Sequence, residues 1–324
     1  MKKLNTIIIG FGNQTKKEHF SALINSDLYS LVAIIDKQFT NLDEHKEMIE
    51  KNNVLLCDNL EDFKSKNTAK IDVAIISLPH DQYLDAIIFC AKNKIHILKE
   101  KPFARNREEA QLIYDIVKEN KIKLMTSFQR RFHPIFQSFK FMISQLGEIK
   151  SVNVQYTLSS KTPNSGWRGD MQLAGGGVMM DMGYHIIDLL IWYFDPIKII
   201  DKDLNIVRKE NYNTDDTSYI TFEVNNIKGI VFISCVFPIK NEQMVVVGSR
   251  GSAILKKDRI ERYNTNNELV EYLEGDGSWR QAMQKQLEYF YDIIINDYDE
   301  YLSNPEFQLN NHVKIMDTIY ENTK

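Results

Sequence analysis

The first 125 or so residues alternate short β-rich runs with helical stretches, and this alternation limits the possible folds more than any other feature of the chain. Strand-like runs occur at Thr6–Ile9, Leu31–Ile35, Val73–Ile76, Ile95–Leu98 and Ile122–Met125. Helical stretches lie between them, at about Lys16–Asn25, Leu42–Lys51, Asp81–Lys92 and Arg107–Glu119. Parallel strands need long crossovers, so strand and helix in repetition predict a doubly wound parallel sheet. The strand runs lack a polar alternate position, as a sheet covered on both faces requires.

The pattern changes after Phe128. A helix over His133–Gln145 and a strand over Ile149–Leu158 precede a glycine-rich loop and an apolar helix, about Gly175–Phe194. Strand-like runs follow at Ile197–Val207, Ser218–Val224, Gly229–Phe237, Met244–Val247 and Ala253–Leu255. Turn residues between them predict a largely antiparallel sheet. Helices over Ser278–Ile295 and Gln308–Asn322 end the chain. The expected organisation is an α/β chain of two domains, residues 1–125 and 126–324.

Composition excludes several function classes. With 43% apolar and 26% charged residues, the chain reads as a soluble globular protein. A net charge of -4 leaves no footprint for nucleic acid. The apolar run after Met1-Lys2-Lys3 is too short for a secretion signal, and Ile186–Phe194 is broken by Asp188, so no membrane partner is expected. Cys57, Cys90 and Cys235 have neither metal-ligand nor redox spacing. Buried free thiols, a cytoplasmic location and no metal are the expectations.

Gly10-Phe11-Gly12 ends the first strand and opens the first helix. Gly10 permits the tight turn, and Gly12 lets the backbone approach a pyrophosphate resting on the helix N-terminus. The third position of such a loop is Thr15, where a larger side chain is expected to loosen the helix on its strand. Asp36, at the end of the second strand, can accept hydrogen bonds from adenine-ribose hydroxyls and would repel a 2′-phosphate. This favours NAD, although Lys37 beside it offsets some repulsion and keeps NADP open.

Glu100-Lys101-Pro102 follows the strand run Ile95–Leu98 at its carboxyl end, where ligands of open α/β sheets bind. Farther on, Asp181 and His185 lie one helical turn apart on an element rich in Met, Ile and Leu. Either they hydrogen-bond each other as local structure, or they do chemistry. Alcohol oxidation needs a hydride acceptor and a group to take the hydroxyl proton. An imidazole suits the second task, with Asp181 orienting it or holding a neighbouring hydroxyl, and Lys101 stabilising the reacting oxygen.

These motifs resemble the glucose-fructose oxidoreductase and inositol dehydrogenase family (Gfo/Idh/MocA). The resemblance rests on Gly10-Phe11-Gly12, Leu78-Pro79-His80, Glu100-Lys101-Pro102, Gln129-Arg130-Arg131-Phe132, Trp167-Arg168 and Gly175 through Asp188. It implies a Rossmann domain, then an α/β domain with an open-faced sheet that forms dimers or tetramers, and an active site between the domains. The catalytic lysine, aspartate and histidine fall on Lys101, Asp181 and His185. Cofactor contacts fall on Gly10, Phe11, Gly12, Asn13, Gln14, Asp36, Lys37, Leu78, Pro79, His80, Glu100 and Lys101, with Gln129, Trp167 and Arg168. The family's usual threonine and histidine are replaced here by Leu78 and Tyr83. Substrate contacts are expected from Lys101, Arg131, Tyr156, Asp181, Tyr184 and His185; Arg130 and Arg131 read equally as surface charges, and one that points inward would suit an anionic group. His19 and His96 read as structural.

The implied activity is hydride transfer between a nicotinamide and a secondary hydroxyl or ketone of a sugar, sugar derivative or cyclitol. An NADPH-dependent ketosugar reductase uses the same residues in reverse. A non-catalytic dinucleotide sensor is the reading from another class, and the presence of Lys101, Asp181 and His185 counts against it.

Overall fold

A computed structural model describes residues 2–39, 44–208, 211–275, 279–298 and 300–321. The expected helix starts at Leu42 and Ser278 and the expected helix end at Asn322 lie outside the described residues. The chain forms two compact units. One comprises Met1–Ala104, Glu108–Gln129 and Trp279–Leu309; the other comprises Arg105–Arg107, Arg130–Ser278 and Asn310–Lys324.

In the first unit, β1 (Leu4–Ile9), β2 (Tyr29–Ile35), β3 (Leu55–Cys57), β4 (Val73–Ile76), β5 (His96–Lys99) and β6 (Leu124–Thr126) form one sheet. Their order is β3-β2-β1-β4-β5-β6, and every neighbouring pair is parallel. Consecutive residues such as Ile7 and Ile8, or Ala74 and Ile75, are fully buried, which is the mark of a sheet covered on both faces. The order reverses between β1 and β4, and ligand crevices of such sheets open at the carboxyl ends of the strands beside that reversal. The helix Trp279–Asn296 belongs to this unit: Tyr29 donates its hydroxyl to the Leu287 carbonyl at 2.7 Å, and Tyr291 donates to that of Lys2 at 3.0 Å. The chain therefore returns to its first unit after completing the second sheet, a return that the sequence pattern did not announce.

The second unit holds β7 (Ile149–Ser159), β8 (Lys198–Asn205), β9 (Thr217–Val224), β10 (Ile227–Ser234), β11 (Val236–Gly248), β12 (Gly251–Lys256), β13 (Arg259–Tyr263) and β14 (Leu269–Glu274). Their order is β14-β13-β12-β11-β7-β10-β9-β8, antiparallel except where β7 meets β10. Helices Pro134–Gln145 and Lys314–Tyr320 pack on this sheet. Alternate residues such as Ile220, Phe222, Val231 and Ile233 are buried, whereas Tyr219 and Ile230 are exposed. Among the described residues, no helix is long and apolar enough to cross a membrane. All three cysteines are free and buried.

The glycine run before the apolar helix has a steric cause. A Cβ on Gly177 would stand 1.9 Å from the Asp215 carbonyl oxygen. The Asp215 carboxylate accepts from the backbone N–H of Gly177 at 2.7 Å and of Met179 at 3.1 Å, and from the hydroxyls of Ser218 and Tyr320. The Tyr320 oxygen in turn accepts from the N–H of Gly177 and of Met180. These bonds satisfy donors that a helix start leaves without intrahelical partners. A Gly177→Ala substitution is expected to destabilise the protein by about 1–3 kcal/mol through overpacking. Urea unfolding should show a lower midpoint with an unchanged slope.

Candidate functional site

The carboxyl edge of the parallel sheet collects most of the residues expected to hold a dinucleotide. Gly10 has φ +93° and lies so close to the β4 end that a Cβ would meet the Ser77 carbonyl oxygen at 2.1 Å. The Phe11 N–H donates to Asp36 Oδ2 at 2.5 Å, and the Gln38 N–H donates to Oδ1 at 2.8 Å. Asp36 therefore braces the glycine loop from the end of β2, and each oxygen retains lone pairs for ribose hydroxyls. Gly12, Asn13 and Gln14 are exposed where the first helix begins, and no heavy atom lies within 4 Å of a Cβ built on Gly12. A pyrophosphate against these N–H groups would meet no side chain there, so the loop fits a dinucleotide.

Thr15 corrects an expectation. Its side chain is fully buried, and its hydroxyl donates to the Gly10 carbonyl at 2.9 Å. Rather than loosening the helix, it ties the helix start to the end of β1. The helix passes this point in the wider π form, Thr15–Phe20.

Leu78 and Pro79 are half-exposed beside the loop, and Leu78 Cδ2 comes within 3.0 Å of a Cβ built on Gly10. His80 is buried and stacks on Tyr83, with ring centroids 5.9 Å apart. Lys101 is half-exposed, and its bond to Pro102 is cis. Glu100 turns inward and meets His19 Nε2 at 2.7 Å. Burial alone would raise the Glu100 carboxyl, but the His19 hydrogen bond and the charges of His19 and Lys101 hold it below the usual carboxylate range. His19 is thus fully buried and paired with the residue that precedes Lys101 in the chain. Glu18 joins the same cluster. Burial and the Glu100 charge raise its carboxyl, although Gln14 and Gln129 hydrogen-bond to it. Nothing in the sequence marks Glu18, because a glutamate in the second turn of a helix reads as surface.

In the second unit, the apolar helix carries the other half of the expected chemistry. From Gly176 through Ile191, every residue is buried except Asp181 and His185. The helix begins in π form over Met179–Gly183 and continues as α-helix over Tyr184–Phe194. Arg168 Nε stands 3.7 Å from Asp181 Oδ2, and the Arg168 guanidinium lies 4.5 Å from the centroid of the Trp167 ring. Tyr156, on β7, is half-exposed and hydrogen-bonded to Arg130; burial raises its hydroxyl despite that cation.

Two expected substrate residues are placed otherwise. Tyr184 is fully buried and stacks on His312, because the residue before His185 is rotated by about 100° toward the core. Arg131 is buried, and its guanidinium donates to both Asp188 oxygens through Nε (3.1 and 3.0 Å) and Nη2 (2.6 Å to Oδ1). Arg130 pairs likewise with Glu242 at 2.6 Å. Buried guanidinium groups need internal partners, and these carboxylates supply them. His312 Nε2 completes the cluster at 2.9 Å from Asp188 Oδ1. Its imidazole is held below the usual range by burial, against the pull of Asp188. Among the described residues, no group of three His, Cys, Asp or Glu side chains is placed to hold a metal ion.

Comparison with known proteins bears on both units. Residues 4–128 match the family described as an oxidoreductase family with an NAD-binding Rossmann fold, and residues 140–254 match the GFO/IDH/MocA C-terminal domain. An uncharacterized oxidoreductase of Synechocystis is 24% identical, over 78% of this chain and 71% of that protein. The scyllo-inositol 2-dehydrogenase (NADP(+)) of Bacillus subtilis is 23% identical over 58% of this chain, and the match spans only 52% of that relative. The crystal structure of an oxidoreductase from Thermotoga maritima has the same fold, with a TM-score of 0.83 at 20% identity, covering 99% of this chain and 96% of that one.

The Asp188 cluster sets an expectation for stability. Burial would raise the Asp188 carboxyl, but Arg131 and His312 hold it below the usual range. A carboxyl with a lowered folded-state pKa stabilises the fold above its unfolded value, about 3.9, and that contribution is lost as the pH falls further. Asp188→Ala leaves Arg131 buried without its counter-charge and should cost about 3–5 kcal/mol at neutral pH. In denaturant titrations at several pH values, the gap between wild type and variant should narrow below about pH 4. A gap that stays constant into acid would contradict an ionised Asp188.

Proposed function

The chain belongs to the GFO/IDH/MocA oxidoreductase family, and on that premise we propose that it is an NAD(P)-dependent dehydrogenase acting on a secondary hydroxyl of a sugar, sugar derivative or cyclitol. One observation carries this reading: along the stretch from Gly176 through Ile191, which is otherwise buried, Asp181 and His185 are the two residues in reach of solvent. Burial is the default for such an apolar element, so two polar side chains presented together have a task there. A bound nicotinamide dinucleotide supplies the hydride acceptor.

The roles assigned to the chain are few. His185 takes the hydroxyl proton as the carbonyl forms, because a neutral imidazole is available near neutral pH. Asp181, with Arg168 beside it, holds a neighbouring substrate hydroxyl. Lys101 donates a hydrogen bond to the reacting oxygen and stabilises its developing negative charge. Asp36 and the N–H groups at Gly12, Asn13 and Gln14 hold the dinucleotide. The carboxylate of Asp36 favours NAD over NADP because a 2′-phosphate would sit against a negative charge. Binding of the cofactor is assigned to the unit with the parallel sheet, and binding of the substrate to the unit with the mixed sheet. Two copies or four associate through the face that carries Tyr219 and Ile230. The buried thiols fit a reducing cytoplasm.

A panel of sugars, cyclitols and their ketones, followed by nicotinamide absorbance, is expected to yield a substrate. With it, Lys101→Ala and His185→Ala should each lower kcat by roughly 100-fold or more, as loss of an oxyanion donor or of a proton-transfer group does. Near-wild-type turnover in either variant would remove that residue from its role. Asp36→Ala should weaken NADH binding and improve NADPH binding, measured by cofactor fluorescence. Tight binding of NADPH but not NADH by the wild type would reverse the assignment of Asp36.

A further inference from the structure

The residue that ends β5 is a second lysine, and it points inward. Lys99 has no exposed surface. Its Nζ donates to the Glu100 carbonyl at 2.8 Å and to the Pro102 carbonyl. It also lies 3.9 Å from the centroid of the Tyr83 ring. An ammonium has three N–H donors, and two carbonyls with one aromatic face account for all of them. The two carbonyls flank Lys101 in the chain. The Tyr83 hydroxyl reaches the Lys101 carbonyl itself, at 3.4 Å. Each carbonyl from Glu100 to Pro102 thus accepts from Lys99 or from the Tyr83 hydroxyl.

We propose that Lys99 is a positioning residue, whose ammonium, seated on Tyr83, clamps the turn that presents Lys101 and loosens it when deprotonated. The inference rests on the role of Lys101 proposed above. Two carboxylates face the ammonium, Glu100 from its own turn and Glu109 from the helix Arg107–Asn120. Tyr83, from the helix Tyr83–Lys92, is the titratable group in contact with it. Ile76 and Thr126, its partners on β4 and β6, carry no charge. Burial outweighs both carboxylates and brings the amine down to about 7. Between that value and the ordinary 10.5, the unfolded chain binds more protons than the folded one, so global stability rises with pH. The clamp weakens over the same interval, because a neutral amine has one donor fewer and no charge for the ring face. Opposite trends separate local clamping from overall stability.

The test begins without a substrate. In protein labelled with ¹³C at lysine Cε, NMR should show one resonance titrating near neutrality, absent in Lys99→Met. In Tyr83→Leu that titration should move to lower pH, since the ring no longer favours the ammonium; this arm decides the matter if Lys99→Met does not fold. With a working substrate, Lys99→Met should leave the dinucleotide Kd unchanged and lower kcat by roughly 10- to 100-fold, the order expected when a catalytic group is slightly misplaced. The wild-type fall in kcat as the pH rises through neutrality should disappear in this variant. A Lys99 that does not titrate near neutrality, or a Lys99→Met enzyme with wild-type kcat at every pH, overturns the proposal. If Lys101→Ala is inactive while Lys99→Met is not, the clamp alone fails. If Lys101→Ala keeps wild-type turnover, the role of Lys101 fails and the clamp loses its purpose.

Discussion

The rotation of one helix governs what the second unit can present to a ligand. A helix that is apolar nearly all round has no amphipathic face to orient it. Here, polar contacts at its start and near its middle supply the missing orientation. Asp215 and Tyr320 hold the N–H groups of Gly177, Met179 and Met180 at its start. Asp188, farther along, is held by Arg131 and His312 in a buried cluster. With these two points fixed, the side that remains for Asp181 and His185 is determined. The same two anchors explain why Gly177 tolerates no side chain and why Tyr184 is stacked in the core.

Buried charge imposes the same discipline on the first unit. Lys99, Glu100 and Lys101 are consecutive, yet each has a different environment. Lys99 sits among carbonyls and a ring, Glu100 meets His19, and Lys101 is half-exposed. An ammonium or carboxylate removed from water is tolerated only where fixed partners replace the solvent. Such partners leave little freedom in direction, so the inward pair defines the backbone from which Lys101 projects. The pair Lys99 and Tyr83 also gives a physical meaning to the tyrosine that stands where the family usually has histidine. A phenol ring offers its face to the buried cation and its hydroxyl to the next carbonyl.

Much of this was legible in the sequence where periodicity or steric need spoke clearly. Five of the parallel strands were visible as apolar runs; β3 was not, because Leu55–Cys57 is too short to show a pattern. The outer strands β13 and β14 escaped because their charged residues pair with each other, as Arg262 does with Glu271 at 2.9 Å, instead of alternating with apolar ones. The spacing of Asp181 and His185 identified one helical face, and solvent access agrees with that spacing. Arg131 and Tyr184 were misplaced for one reason: sequence names a side chain's chemistry but not the partner already waiting for it. Asp188 and His312 are 124 residues apart in the chain, and no local pattern connects them.

Lys99 shows the limit most sharply. On a strand, a terminal lysine is ordinarily read as a solvated charge, and Ile97 and Leu98 before it give no warning otherwise. What turns it inward is the geometry after the strand, where the Glu100 and Pro102 carbonyls converge on one point. A chain that places a cation there must supply a third acceptor or leave one N–H without a partner. Tyr83, sixteen positions earlier, supplies it from the opening turn of the helix between β4 and β5. The turn that carries Lys101 is therefore held from two elements, by Lys99 at the end of β5 and by Tyr83 on the helix before it.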